Sequence, residues 1–239
     1  HLSIRRQRQM CIRDRSTTAI RSDRLSALRT QMLAEAEITS VQNQSLIQSR
    51  REQICEAALS LFLEKGFAAT TIRDICARSG VNQASIYDYI ANKNDILRRL
   101  LNQLWFREDV STLPIILLDE TLSLEDAFEK YFRESWSMKR DGTLLAYRCV
   151  PHMQAEDRRA LHAREFAVMK DLADQLAPRL GMHSDDQRLD IVANLMVFLS
   201  AFGPMRDWLI RDIPDEVILR TISAGAAAMV RSLADQAQT

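Results

Sequence analysis

The chain has 239 residues, 46% of them hydrophobic and 27% charged, with 32 basic residues balanced by 32 acidic ones. That length and apolar fraction supply a core for one or two domains. No run of about 18 apolar residues occurs, so no membrane span is expected, and a neutral balance means that any nucleic-acid binding must come from a local patch.

The chain opens on a basic stretch, "RRQRQMCIRDR" (residues 5–15), which on charge alone reads as a nucleic-acid-binding arm. Residues 5–14 are also what the codons CGT CGG CAG CGT CAG ATG TGT ATA AGA GAC encode, and residues 1–15 as a whole resemble a translated sequencing-library adapter. Set aside on that resemblance, they take five arginines and Asp14 with them, leaving 27 basic against 31 acidic residues. The remaining cysteines, Cys55, Cys76 and Cys149, are odd in number and lack CxxC spacing. They fit reduced thiols in a cytoplasmic protein, not a disulfide framework or zinc site. Residues 16–45 read as a lead-in outside any domain, with Met32 as a candidate translation start and "LAEAEITSVQNQSLIQ" as a weakly ordered approach to the first strong helix.

Six glycines and five prolines punctuate a chain whose apolar residues recur at helical spacing, which predicts an all-α protein. A first helix is expected over residues 45–65, with Ile47, Ile54, Ala58, Leu61 and Phe62 on one face and Gly66 in left-handed conformation at its end. Thr70 or Thr71 caps a second helix carrying Ile72, Ile75 and Cys76, and Gly80 ends it. Asn82 caps a third, "QASIYDYI", before "ANKNDIL" starts a fourth. Further helices are placed at 94–110, 123–140, 143–150, 155–179, 185–211 and 214–236, with breaks at Pro114, Gly142, Pro151, Gly181 and Pro214.

Two short helices joined by a tight glycine turn form the helix-turn-helix pattern. Where such helices cross steeply, the first needs a small side chain (Cys76), the turn a glycine four residues on (Gly80), and the second an apolar plug six later (Ile86). Over residues 50–97, "AALSLFLEKGFAATT", "IRDICARSGV" and "IYDYIANKNDIL" resemble the DNA-binding domain of the TetR family of transcriptional regulators. The resemblance implies an N-terminal three-helix helix-turn-helix DNA-binding domain (46–97) followed by a helical ligand-binding and dimerisation domain (98–239).

By that resemblance the protein is a ligand-responsive transcriptional regulator, a repressor that binds a palindromic double-stranded DNA operator as a dimer and is released by a small hydrophobic effector. Asn82, Gln83, Ala84 and Ser85 would open the recognition helix and face base edges or nearby phosphates. Tyr87, Tyr89 and Lys93 would hold phosphates, and Thr71 would cap the second helix near the DNA backbone. The chemistry agrees: glutamine pairs bidentately with adenine, a small alanine admits the helix to the groove, and lysine neutralises a phosphate. Asp88 stands where the family often has an aromatic or basic residue, and its carboxylate would repel phosphate unless it points away or pairs with Lys93. The six basic and six acidic side chains of residues 46–97 predict modest affinity per monomer.

The second domain is rich in aromatic and apolar side chains with a few polar ones among them. Trp105, Phe132, Trp136, Tyr147, Arg148, Phe166, Asn194 and Phe198 are the candidates for holding the effector. The last two helices, with "SAGAAAMV" near the C-terminus, are the candidate homodimer contact. No cofactor is expected. Two alternatives stay open: a helical metal-dependent enzyme acting on a diphosphate through Asp185, Asp186 and Asp190, and a helical interaction module without DNA binding. His152, Glu156, Asp157 and His162 fit no common metal spacing.

Overall fold

The computed structural model describes residues 27–38, 43–107 and 109–237, all helix, turn and loop with no strand among them. The adapter-like residues 1–15 and the start of the lead-in lie outside the described residues. Three helices form the N-terminal part: α1 (Gln44–Lys65), α2 (Ile72–Ser79) and α3 (Lys93–Leu104). Asn43 caps α1 by accepting from the Leu46 N–H. Thr71 is the cap of α2, in a capping box where Thr71 Oγ1 accepts from the Asp74 N–H and the Asp74 carboxylate accepts from the Thr71 N–H. Gly66 has positive φ but extended ψ (90°, 154°), so α1 ends without the expected left-handed cap, whereas Gly80 is left-handed (71°, 6°).

The C-terminal part holds α4 (Leu113–Ile116), α5 (Leu124–Met138), α6 (Arg140–Cys149), α7 (Ala155–Leu180), α8 (Gln187–Leu199), α9 (Phe202–Ile210) and α10 (Asp215–Ala237). Three expectations are corrected here. Gly142 does not break the chain but lies in the first turn of α6, because a Cβ there would overlap the Leu104 carbonyl at the end of α3. Its absence lets the two backbones touch. The single helix expected over 185–211 is two, α8 and α9, bent by 49°. Pro204 has no N–H to offer the Ser200 carbonyl, and the Trp136 indole N–H takes that place at 2.9 Å. Pro114 starts the short α4 instead of ending a helix.

Two hydrophobic cores result. The first joins α1–α3 through Ile54, Phe62, Ile75, Ile86, Ile90 and Leu101, and draws in Leu145 and Cys149 of α6. The second joins α5, α7, α8 and α10 through Phe128, Phe132, Leu172, Met196 and Val230. Arg98 of α3 spans the two parts, donating to Asp157 at 2.9 and 3.0 Å, to Glu156 at 2.6 Å and to Gln154 at 2.7 Å.

The lead-in is more ordered than its composition suggests. Asp95, Arg99 and Asn102 share one face of α3 at i, i+4, i+7 spacing and bind the backbone of residues 33–36. Asn102 accepts from the Leu33 N–H (2.9 Å) and donates to the Leu33 carbonyl (3.0 Å), Asp95 accepts from the Ala36 N–H (2.8 Å), and Arg99 donates to the Ala36 carbonyl (2.6 Å) and to Glu35 (2.7 Å). Leu33 is buried under this clamp. No single helix among the described residues is long and apolar enough to cross a membrane.

Candidate nucleic-acid interface and regulatory cavity

Between α2 and α3 the chain makes no full α-helix. Asn82 Oδ1 accepts from the Ala84 N–H (2.8 Å), the Asn82 carbonyl accepts from the Ser85 and Ile86 N–H groups (3.0 Å each), and one 3-10 turn follows at Ile86–Asp88. The expected third helix is therefore a capped turn. Ile86 is fully buried against Cys76 and Val81, so the plug works as its spacing predicts. Burying Ile86 forces its neighbours outward: Asn82, Gln83, Ala84 and Tyr87 are exposed, with Tyr87 at 53%, and Ser85 is half-buried.

Lys93 and Tyr89 sit differently. The Lys93 ammonium donates to the carbonyls of Phe67 (2.7 Å) and Thr70 (2.8 Å) and lies 4.4 Å from the Phe67 ring centroid. Two of its three N–H groups are thus spent inside the domain, and burial pulls its pKa below the usual lysine value. Tyr89 is half-buried, and its carbonyl accepts from Arg51 Nε (2.9 Å). The other cations are largely committed too: Lys65 pairs with Asp74 (2.8 Å) and Arg78 with Glu64 (3.0 Å). Lys65 and Thr71 together hold the Asp74 carboxyl well below the usual carboxylate range. The side chain of Arg73, exposed two residues after Thr71, makes no hydrogen bond or ion pair among the described residues. The sequence reading passed over it, though an arginine beside an N-cap on the DNA-facing helix is a visible signal.

Residues 54–100 match the family described as bacterial regulatory proteins, tetR family. The match is confined to the helix-turn-helix segment in the N-terminal part of the chain. Among curated relatives, the HTH-type transcriptional regulator HbdR of Aromatoleum sp. (strain CIB) is 32% identical over 134 residues, 54% of this chain and 56% of that one. The HTH-type transcriptional repressor KstR2 of Mycobacterium tuberculosis (strain ATCC 25618 / H37Rv) is 38% identical over 55 residues, 23% of this chain and 28% of that one. The chain thus spans about half the length of the first relative and about a quarter of the second. A crystal structure of a tetR-family bacterial regulatory protein from Rhodococcus RHA1 superposes with a TM-score of 0.58 at 16% identity, covering 76% of this chain and 96% of that one, which shows the shared helical fold. These relatives are transcriptional regulators, not enzymes.

Most of the carboxylates weighed as metal ligands are engaged otherwise. Asp186 caps α8 and pairs with Arg188 (2.6 Å), Asp190 accepts from Lys170 (2.5 Å), and Glu156 and Asp157 hold Arg98. No group of three metal-ligating side chains occurs among the described residues.

A cavity of about 70 Å³ lies between the end of α3 and helices α5–α8. Of the eight residues expected to hold an effector, Trp105 lines it, and Tyr147 packs edge-on behind Trp105 at 6.1 Å. The other six go elsewhere. Phe132 is fully buried between Phe128 and Trp136, the Trp136 N–H is spent on Ser200, and Arg148 donates to the Leu63 carbonyl (2.7 Å). Phe166, Asn194 and Phe198 are exposed. In their place the cavity is lined by Tyr131, Ser135, Lys139, Thr143, Arg164 and Glu165. One signal for it was in the sequence: the stripe Leu161, Glu165, Val168, Leu172 has helical spacing, and a carboxylate interrupts it. Burial pushes the Glu165 pKa up, opposed by a hydrogen bond from Trp105.

Proposed function

We propose that this chain is a DNA-binding transcriptional regulator, a repressor that grips a palindromic operator as a homodimer and lets go when a small effector enters its second domain. The observation that carries the reading is the outward display of Asn82, Gln83, Ala84 and Tyr87 around the buried Ile86, beside exposed Thr71 and Arg73. Gln83 and Ala84 read base edges. Asn82, Ser85, Thr71, Tyr87, Tyr89 and the remaining N–H of Lys93 position the backbone, and Arg73 supplies the uncommitted charge. DNA binding rests on residues 46–97 and effector binding on residues 98–239, and a DNA partner places the protein in the cytoplasm.

The dimer reading is supported by the apolar surface of the last helices. Ile191, Leu195 and Phe198 form one exposed face of α8 at i, i+4, i+7, and Trp208 and Leu209 of α9 and Val217 and Met229 of α10 are also exposed. A patch of this kind on a monomer marks an interaction site. Two copies joined there would offer two recognition turns to successive major grooves about 34 Å apart. A mobility-shift assay with DNA flanking the gene tests the reading: a retarded band weakened by Arg73→Ala and altered in sequence preference by Gln83→Ala supports it, and no retardation of any flanking fragment sinks it.

A further inference from the structure

The cavity is lined by two half-buried groups of opposite sign that form no ion pair with each other. Lys139 lies at the junction of α5 and α6, and its side-chain ammonium makes no hydrogen bond or ion pair among the described residues. The charged groups acting on it are Arg164, Arg107, Glu165 and Asp109. Asp109 is already committed to Arg107 (2.5 and 2.9 Å), and Glu165 accepts from Trp105. Arg164 lies 4.1 Å from the Phe106 ring centroid. The balance of these groups is therefore positive, and Glu165 and Asp109 oppose the desolvation of the ammonium without either forming an ion pair with it. Burial, and then the like charges of Arg164 and Arg107, pull that ammonium down to about 8.

An anion would supply the missing partner. The hydroxyls of Ser135 and Thr143 add neutral hydrogen-bonding groups, the Ser200 hydroxyl already donates to the Val197 carbonyl (2.6 Å), and Trp105 and Tyr131 add apolar wall. The cavity of about 70 Å³ suits a short organic acid and is too small for a drug-sized ligand. A way in exists, because a larger surface cleft of about 530 Å³ shares Thr112, Arg164 and Val168 with the cavity.

We propose that this cavity is a site for a small carboxylate, whose anionic end pairs with Lys139 and whose short apolar body rests against Trp105 and Tyr131. The proposal takes its regulatory meaning from the effector-released repressor reading, while the binding itself is independent of DNA.

Calorimetric titration of the full chain with butyrate and with butyramide, its neutral isostere, tests it. The expected result is butyrate binding about tenfold or more tighter than butyramide, with Lys139→Met lowering butyrate affinity to the butyramide level and Lys139→Arg keeping most of it. Equal affinity for the two probes, or no butyrate binding at millimolar concentration, overturns the proposal without relying on any variant's stability. Operator mobility shift, read separately, divides the failures: DNA binding without butyrate binding refutes the carboxylate site, and butyrate binding without DNA binding refutes the repressor reading.

Discussion

The indole N–H of Trp136 in α5 donates to the Ser200 carbonyl at 2.9 Å, the carbonyl that Pro204 leaves without a helical partner. Gly203 makes the contact possible, since a Cβ there would come within 2.6 Å of the Trp136 ring. One tryptophan therefore fixes the bend between α8 and α9, and with it the orientation of their exposed apolar surface. Trp136→Phe should lower stability by about 1–3 kcal/mol by orphaning that carbonyl, read as a lower urea midpoint. It should also weaken self-association in sedimentation, a change that loss of a ligand contact would not cause.

Gly142 and Leu104 meet backbone to backbone at the junction of α6 and α3. Gly142→Ala has a favourable helix propensity, yet its methyl would overlap the Leu104 carbonyl. We expect the overlap to win, with a net loss of about 1–3 kcal/mol in chemical denaturation. A stabilised variant would show that α3 and α6 can part freely.

At the DNA interface, Lys93, Arg73 and Gln83 should separate into three behaviours. Lys93→Ala should lower the stability of the domain, because the Phe67 and Thr70 carbonyls lose their donor. Arg73→Ala should leave stability alone and reduce the slope of log affinity against log salt by about one. Gln83→Ala should change the preferred operator base with little change in slope. Melting curves and salt titrations of operator binding distinguish them.

Burial holds the Lys139 pKa at about 8, below the ordinary lysine value of 10.5. Between those values the native state releases its proton while the unfolded chain still holds one, so stability gains a contribution as pH rises through that window. Arg164 and Arg107 strengthen the effect, and Glu165 and Asp109 oppose it. The stability difference between the wild type and Lys139→Met should therefore move in favour of the wild type from pH 8 to pH 10.5. A constant difference in melting temperature would place Lys139 in solvent.

The strap of residues 33–36 predicts its own signature. Arg99 is 5% exposed and partners Asp95, which is fully buried. Arg99→Met leaves that carboxylate short of its cation and should cost about 3 kcal/mol or more. Hydrogen exchange should then show the amides of Leu33 and Ala36 losing protection together.

The local signals at the N-terminal part were legible because they are short-range. Capping by Thr71 and Asn82, the left-handed Gly80, and the Cys76 and Ile86 spacing each follow from a few adjacent residues, and the structure carries all of them. The all-α class followed likewise from helical periodicity throughout the chain. Exposure of Tyr87 and the internal commitment of Lys93 did not, since each depends on what lies across the fold. The same holds for the cavity. Aromatic residues at helical spacing look alike in sequence whether they pack, dimerise or bind, and most of those chosen pack or face outward. Lys139 and Glu165 acquire meaning only where α5, α6 and α7 converge and half-bury both charges. The local chemistry of sequence determined the helices and the turn; long-range packing decided which side chains were left without partners.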